Sequence, residues 1–466
     1  MLLISIALLT TPPTLDTSLP EGLQLLERGD RKAQNGAYGE ALKDYKAGYD
    51  HILPTIRGLD FKEITPTDVV TRDQLAARLK KTMSDEDREN LVFFDNALKC
   101  FGVLPEPMSF EKLVFSLLEA EVAGYYDPTT SRITLVDAAP EVARPSGSFW
   151  GSLFQPDETF NVTENRGVIA HELTHALTDQ HYDLERLQKA RRDSDDASMA
   201  LDAVIEGDAM IAMVAAMQED FARAATLFQS GSRYWRFAFG LVSKFAPGAS
   251  SPAMRAAPPF FGQALMFPYT EGMVFLLEVG KSRGYAAVDD VYGRLPESTE
   301  QVIHPERYLK RDPPMVVDEP DWPKSIASSR LGSNVLGEAQ LRFMLDDREA
   351  AAGWGGDRYT VFRSERGRTL VWMTAWDTEH DAQEFADSWR GYIQKRLRRN
   401  RAQTAPEVPE FVQARLDFSN EEQNYRIQRR GSHVLVMEGN PNTVTAARDI
   451  AWSALKRAKA APAELD

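Results

Sequence analysis

The run Val168-Ile169-Ala170-His171-Glu172-Leu173-Thr174-His175-Ala176-Leu177 constrains this chain more than any other stretch. Histidines four apart lie one turn above each other on the same face of a helix, so their ring nitrogens can reach a single metal ion. Glu172 projects toward the same point from the side, where a carboxylate can take a proton from water. The chain has only 7 histidines, so this spacing is unlike chance. Val168, Ile169, Ala170, Leu173, Ala176 and Leu177 supply apolar surface at helical spacing, and no proline interrupts the run. Asn165 or Thr163 is placed to cap its start. A solvated helix with two stray histidines would not carry this much apolar surface.

A catalytic metal site needs a third protein ligand. Residues 203–212 form a second helical, mostly apolar segment that contains Glu206 and Asp208, with Asp202 one turn earlier. Glu206 is the expected third ligand. Asp208 or Asp202 would accept a hydrogen bond from the far nitrogen of a ligand histidine and fix its tautomer. The plainer alternative makes Glu206 a residue of the helix start, complementing its dipole. His181 competes as a ligand, but Asp179-Gln180-His181-Tyr182-Asp183 reads as the end of the first helix and places it at the rim.

At these positions the chain resembles the zincin metallopeptidases of the gluzincin type, in which two motif histidines and a downstream glutamate hold zinc. The matching residues are His171, Glu172, His175 and Glu206. The metzincin pattern does not fit, because 177–183 supplies no third histidine in register. Many gluzincins carry an aspartate one turn after the ligand glutamate; here that position is Met210. The wider pattern is similar to a group of predicted bacterial metallopeptidases, in which Arg57-Gly58-Leu59, a Gly-Tyr-Tyr-Asp hairpin and a Glu-Gly-Asp-Ala segment accompany the motif helix. The resemblance spans residues 50 to 380, and its specific part is the metal motif.

Two further segments suit such a site. Residues 122–136 hold two β-rich runs around Asp127-Pro128-Thr129-Thr130-Ser131, a hairpin signal. The resemblance implies an edge strand that pairs with an extended peptide through main-chain hydrogen bonds; an ordinary hairpin explains the same residues. Downstream, Phe267-Pro268-Tyr269-Thr270-Glu271-Gly272 leads into an apolar helix, and Ser298 with Gln301 should cap a short helix that Pro305 ends. A histidine or tyrosine reaching the metal could stabilise the oxyanion of a tetrahedral intermediate. His304, Tyr269 and Tyr308 are the candidates, and His304 is the first choice.

With 466 residues the chain should make two or three domains. A formal charge of −15 argues against nucleic acid or an anionic membrane as the main partner. Cys100 is the only cysteine, so stability must come from packing without an internal disulfide. Residues 1–18 contain a short apolar run resembling a secretory signal core, which points to a periplasmic or extracellular protein with no integral membrane span in the mature chain. Residues 19–56 look like one tetratricopeptide-type helical hairpin, which cannot bury its own face alone; an ordinary helical extension is the plainer reading.

Residues 57–325 should form the zincin-like domain, and the proline-rich stretch 312–323 its end or a strap across it. Residues 326–466 should form a small α+β domain, with helices near 337–346, 377–398 and 442–459 and strands near 358–363, 369–376, 425–429 and 433–437. The fold class expected is α+β. The expected function is zinc-dependent hydrolysis of peptide bonds in a peptide or protein substrate, with Zn2+ held by His171, His175 and Glu206, and with Glu172 and His304 catalytic. The alternatives are a catalytically silent zincin scaffold serving envelope binding or assembly, or hydrolysis of a non-peptide amide or ester.

Overall fold

The computed structural model describes residues 20–122, 124–136, 162–218, 224–230, 234–236, 251–365, 367–400, 415–419 and 424–460. The candidate signal segment 1–18 lies outside them. The fold class is mixed α and β: a helical body with a small three-stranded sheet at its side, joined to a six-stranded antiparallel sheet.

The chain opens with α1 (Pro20–Gln34) and α2 (Tyr38–Arg57), folded back on each other at Asn35-Gly36, where Gly36 takes φ +76. The apolar face of this hairpin is not a separate core. Leu26, Tyr45, Tyr49, Ile52 and Leu53 are buried in one cluster with Leu173, Leu177, Leu201 and Met213. The hairpin therefore packs as an integral layer of the helical body, as a helical pair with one apolar face must.

Strands β1 (Thr67–Val70), β2 (Gly124–Asp127) and β3 (Arg132–Val136) form the small sheet in the order β1-β3-β2. β3 runs parallel to β1 and antiparallel to β2, leaving β2 as an edge. Asp127 sets the turn between β2 and β3. Its carboxylate accepts from the Thr129 amide at 3.0 Å and the Thr130 hydroxyl at 2.8 Å. Between β1 and β2 come α3 (Arg72–Thr82), α4 (Asp85–Phe101) and α5 (Phe110–Glu121).

The motif helix α6 (Val162–Tyr182) starts before the expected cap, so Asn165 lies within it. From Gly167 to Thr178 every residue is buried. Its hydroxyls are satisfied internally, Thr174 donating to the Ala170 carbonyl at 2.7 Å and Thr178 to the Thr174 carbonyl at 3.0 Å. After α7 (Leu184–Arg191) comes α8 (Asp195–Met217), capped by Ser194 and buried along nearly its whole length. Two short helices, α9 (Ala224–Gln229) and α10 (Pro252–Ala256), precede α11 (Pro259–Val279), which carries Pro268 inside it. Next come α12 (Tyr285–Gly293), α13 (Thr299–Ile303) and α14 (Pro305–Lys310). Ser298 caps α13 as expected, but the Gln301 side chain bonds to the Glu297 amide.

The second sheet has the order β5-β6-β7-β10-β9-β8, from β5 (Arg330–Asn334), β6 (Trp354–Ser364), β7 (Gly367–Trp376), β8 (Arg415–Ser419), β9 (Asn424–Arg430) and β10 (His433–Gly439). A helix over Gly337–Met344, one over Glu379–Asn400 and one over Pro441–Leu455 complete the expected pattern. The last is shorter than expected, because residues 459–460 form strand β11.

Buried clusters run across residue 57 and across residue 325. α4 packs on the second sheet, with Phe93 stacked on Tyr359 and Phe101 edge-on to Trp372. Burying each of these rings is worth about 1.5–3 kcal/mol, enough to fix the helix there. The proline-rich stretch crosses the opposite face as a strap. Its β4 (Met315–Val316) pairs with β11, Val317 and Ile326 enter the core under Pro441–Leu455, and Trp322 packs edge-on to Phe362.

At the seam, Asp195 and Asn334 exchange two hydrogen bonds of 2.8 and 2.9 Å, while Asp196 accepts from the Thr299 amide at 2.9 Å. Asp357 is buried and accepts from the Gly337 amide at 2.9 Å and from the indoles of Trp354 and Trp372 at 3.0 and 2.9 Å.

Candidate metal centre

Helix α6 presents His171 and His175 on one face, and α8 crosses behind them with Glu206. The His171 and His175 Nε2 atoms are 3.0 Å apart. Glu206 Oε2 lies 2.9 Å from the first and 3.4 Å from the second. The three donor atoms fall within 4.8 Å of one another, the histidines buried and Glu206 half-buried among apolar helices. Two imidazole nitrogens facing each other across hydrogen-bonding distance need a proton between them or a shared cation. This donor set, two imidazoles and one carboxylate, fits a metal ion.

The carboxylates respond to this crowding. The Glu206 carboxyl is held well below its usual range, because His175 and His171 outweigh the burial that would raise it. In the protein without metal, burial would lower His175, but the Glu206 charge prevails and pushes it up to about 9. Glu172 is buried beside the same histidines. Burial raises its carboxyl, opposed by the histidines and by the Tyr126 backbone amide of β2. A buried carboxylate poised upward next to a metal pocket suits a general base.

Backbone contact sets the distance between α8 and α11. A Cβ on Gly272 would come within 1.9 Å of the Ala203 carbonyl oxygen, and one on Gly207 within 2.4 Å of the Gly272 carbonyl carbon. This crossing puts Tyr269, one turn before Gly272, at the metal pocket. Its ring stacks on His171 at 5.9 Å between centroids, and burial with the nearby charges of Glu206 and Glu172 raises its phenol well above the usual value. β2 is tied to α6 by Tyr126, whose hydroxyl donates to Asp179 at 2.6 Å.

Of the three candidates for oxyanion stabilisation, Tyr269 alone is placed here. His304, the first choice from the sequence, meets Glu338 through Nε2 at 3.1 Å and lies 3.8 Å from Glu306 through Nδ1. Among the described residues no contact joins it to His171, His175 or Glu206; the buried Glu338 carboxylate claims it instead. Tyr308 donates to the Arg294 carbonyl at 2.7 Å and packs on Phe275. His181 donates from Nε2 to the Asp60 carbonyl at 2.8 Å, a rim position.

The expected carboxylate–histidine link is also absent among the described residues. Asp208 is taken by Arg57 at 3.0 Å and by the Tyr292 hydroxyl at 3.2 Å. His175 Nδ1 is buried with no hydrogen-bond partner there. Asp202 sits a turn from Glu206, its carboxyl raised to about 7 by burial and the Glu206 charge. Arg57-Gly58-Leu59 belongs to the wider resemblance, but nothing in the local pattern predicts the burial of Arg57, since an arginine at a helix end normally faces water.

Residues 325–451 match a family described as "Domain of unknown function (DUF8575)", which covers the second sheet and most of its helices and leaves the metal pocket outside. No curated protein matches the chain, and neither does any solved structure. No helix among the described residues is long and apolar enough to cross a membrane.

Proposed function

We propose that the chain is a zinc-dependent hydrolase of peptide bonds, built on a zincin-like helical domain of the gluzincin type. The observation that carries this reading is the convergence of His171 Nε2, His175 Nε2 and Glu206 Oε2 with Glu172 buried beside them. A structural site would saturate its metal with four protein ligands, whereas three leave a position for water or substrate.

Bound there, a zinc ion would supply Lewis acidity toward water and a substrate carbonyl. The chain's own residues do the rest. Glu172 accepts the proton of the attacking water and returns it to the leaving amine, a role its raised carboxyl favours. Tyr269 keeps its proton, since burial and the Glu206 charge raise its phenol well above the usual value, and it donates toward the oxyanion of the tetrahedral intermediate. β2 has no second strand partner among the described residues and lies beside α6, suited to an extended peptide in antiparallel or parallel register.

The test is metal content by elemental mass spectrometry together with hydrolysis of a peptide library, for the wild type and Glu172→Gln. Zinc in both proteins with hydrolysis only in the wild type supports the reading. A wild type that takes up no zinc, or a Glu172→Gln protein that still hydrolyses peptides, overturns it.

A further inference from the structure

Behind the metal pocket lies a buried polar node that the hydrolytic scheme does not use. Arg57 is the last residue of α2, and Gly58, in the left-handed region at φ +74, ends the helix so that the guanidinium turns inward. Its side chain has no exposed surface. Nε donates to Asp208 at 3.1 Å, Nη1 lies 2.7 Å from Asp289, and the guanidinium sits 4.7 Å over the Tyr285 ring.

These contacts tie two further helices to α2. Asp208 stands two residues beyond Glu206 on α8, and Asp289 and Tyr285 belong to α12. The Tyr182 hydroxyl, at the end of α6, donates to Asp289 at 2.6 Å. The Tyr182 ring stacks on Tyr292 at 4.1 Å, and Tyr292 in turn bonds to Asp208. The helix carrying both histidines and the helix carrying Glu206 are thus fastened to one arginine supplied by the N-terminal hairpin. An isolated buried guanidinium or carboxylate is strongly unfavourable, so Arg57 and Asp208, both without exposed side-chain surface, depend on each other.

We propose that Arg57 is a positioning residue of the metal centre: it holds Asp208, and through it the turn of α8 that carries Glu206, in register with His171 and His175, so the N-terminal hairpin is a working part of the site. Groups that hold metal ligands in place typically change metal affinity 10–100-fold when removed.

The inference rests on the metal-centre reading, and the experiment separates the two. Full-length wild type, Arg57→Met, Arg57→Lys and Asp289→Asn proteins would be titrated with Co2+, followed by its visible ligand-field bands, and with Zn2+ against a competing chelator. Thermal unfolding would be recorded for each, with Asp357→Asn as an equally buried substitution outside the node. The expected result is at least a tenfold loss of zinc affinity and an altered cobalt spectrum in Arg57→Met, partly restored in Arg57→Lys. Asp289→Asn should show a smaller loss, because the arm to Asp208 remains, and Asp357→Asn should lose stability with an unchanged cobalt spectrum. If Arg57→Met does not fold, Asp289→Asn and Arg57→Lys carry the test, and wild-type spectra and affinities in both overturn the inference. A folded Arg57→Met with wild-type cobalt bands and zinc affinity overturns it as well, leaving a purely structural arginine. A wild type that binds neither metal overturns the metal-centre reading itself.

Discussion

Gly207 and Gly272 meet where α8 crosses α11, so closely that a methyl group on either would fall inside the other helix's backbone. Glu206 and Tyr269 owe their proximity to that crossing. Gly272→Ala should force the helices apart, at a cost of about 3 kcal/mol from overpacking, and should weaken metal binding together with stability. Gly262→Ala, on the same helix but with its Cβ only in ordinary contact with Met254, should be neutral or stabilise by about 0.5–1 kcal/mol. Denaturant unfolding of both variants checks this, and equal stabilities would contradict it.

The competition between Tyr269 and His304 is settled by a pair of substitutions. Tyr269→Phe should lower kcat by roughly 10²-fold with little change in KM, as expected for a donor used in the transition state. His304→Gln should leave kcat unchanged while lowering stability modestly, because the buried Glu338 carboxylate loses its charged histidine neighbour and keeps Arg342. Steady-state kinetics on a peptide found by library screening would reverse the assignment if the histidine variant were the slow one.

Metal uptake should release a proton. Without metal, Glu206 keeps His175 protonated up to about pH 9, and a metal ligand must be neutral imidazole. Zinc affinity should therefore fall as pH drops below about 9. Calorimetric titration at neutral pH in two buffers of different ionisation enthalpy should give different heats, and Glu206→Gln should abolish the difference. Equal heats for the wild type would refute it.

The seam between the helical body and the second sheet should weaken as pH rises. Burial pushes the Asp195 and Asp196 carboxyls up to about 7, against hydrogen bonds from Asn334 and Thr299, and pushes Glu300 up to about 9. In the unfolded chain these groups ionise near ~4. The folded state thus binds their protons more tightly. Their contribution is complete below the unfolded value and is lost as pH climbs through about 7, then about 9 for Glu300. Thermal midpoints across this range should decline, and Asp196→Asn should flatten the lower part of the decline. Parallel profiles for the two proteins would count against the seam as the cause.

Much of the fold was legible because its signals are local. The two-residue turn Gly431-Ser432 between alternating runs marks the β9–β10 hairpin, and the apolar stripe around His171 marks α6. β5 was not legible: Arg330-Leu331-Gly332-Ser333-Asn334 lacks β-branched residues, and it forms because β6 offers a partner and Phe93 packs on Gly332. The docking of α4 on the distant sheet depends on contacts far apart in sequence. The site divides the same way. His171, Glu172 and His175 announce themselves by spacing, whereas Tyr269 over His304 and Arg57 behind Asp208 are decided by where helices cross.

Helix α8 begins in the seam, where Asp195 and Asp196 are bound to Asn334 and Thr299, and reaches Glu206 about 16 Å further along at 1.5 Å per residue. The second sheet and the pocket thus share one buried helix: its first turn is bound to the sheet's side of the seam, and about three turns on it carries the carboxylate that faces the histidines.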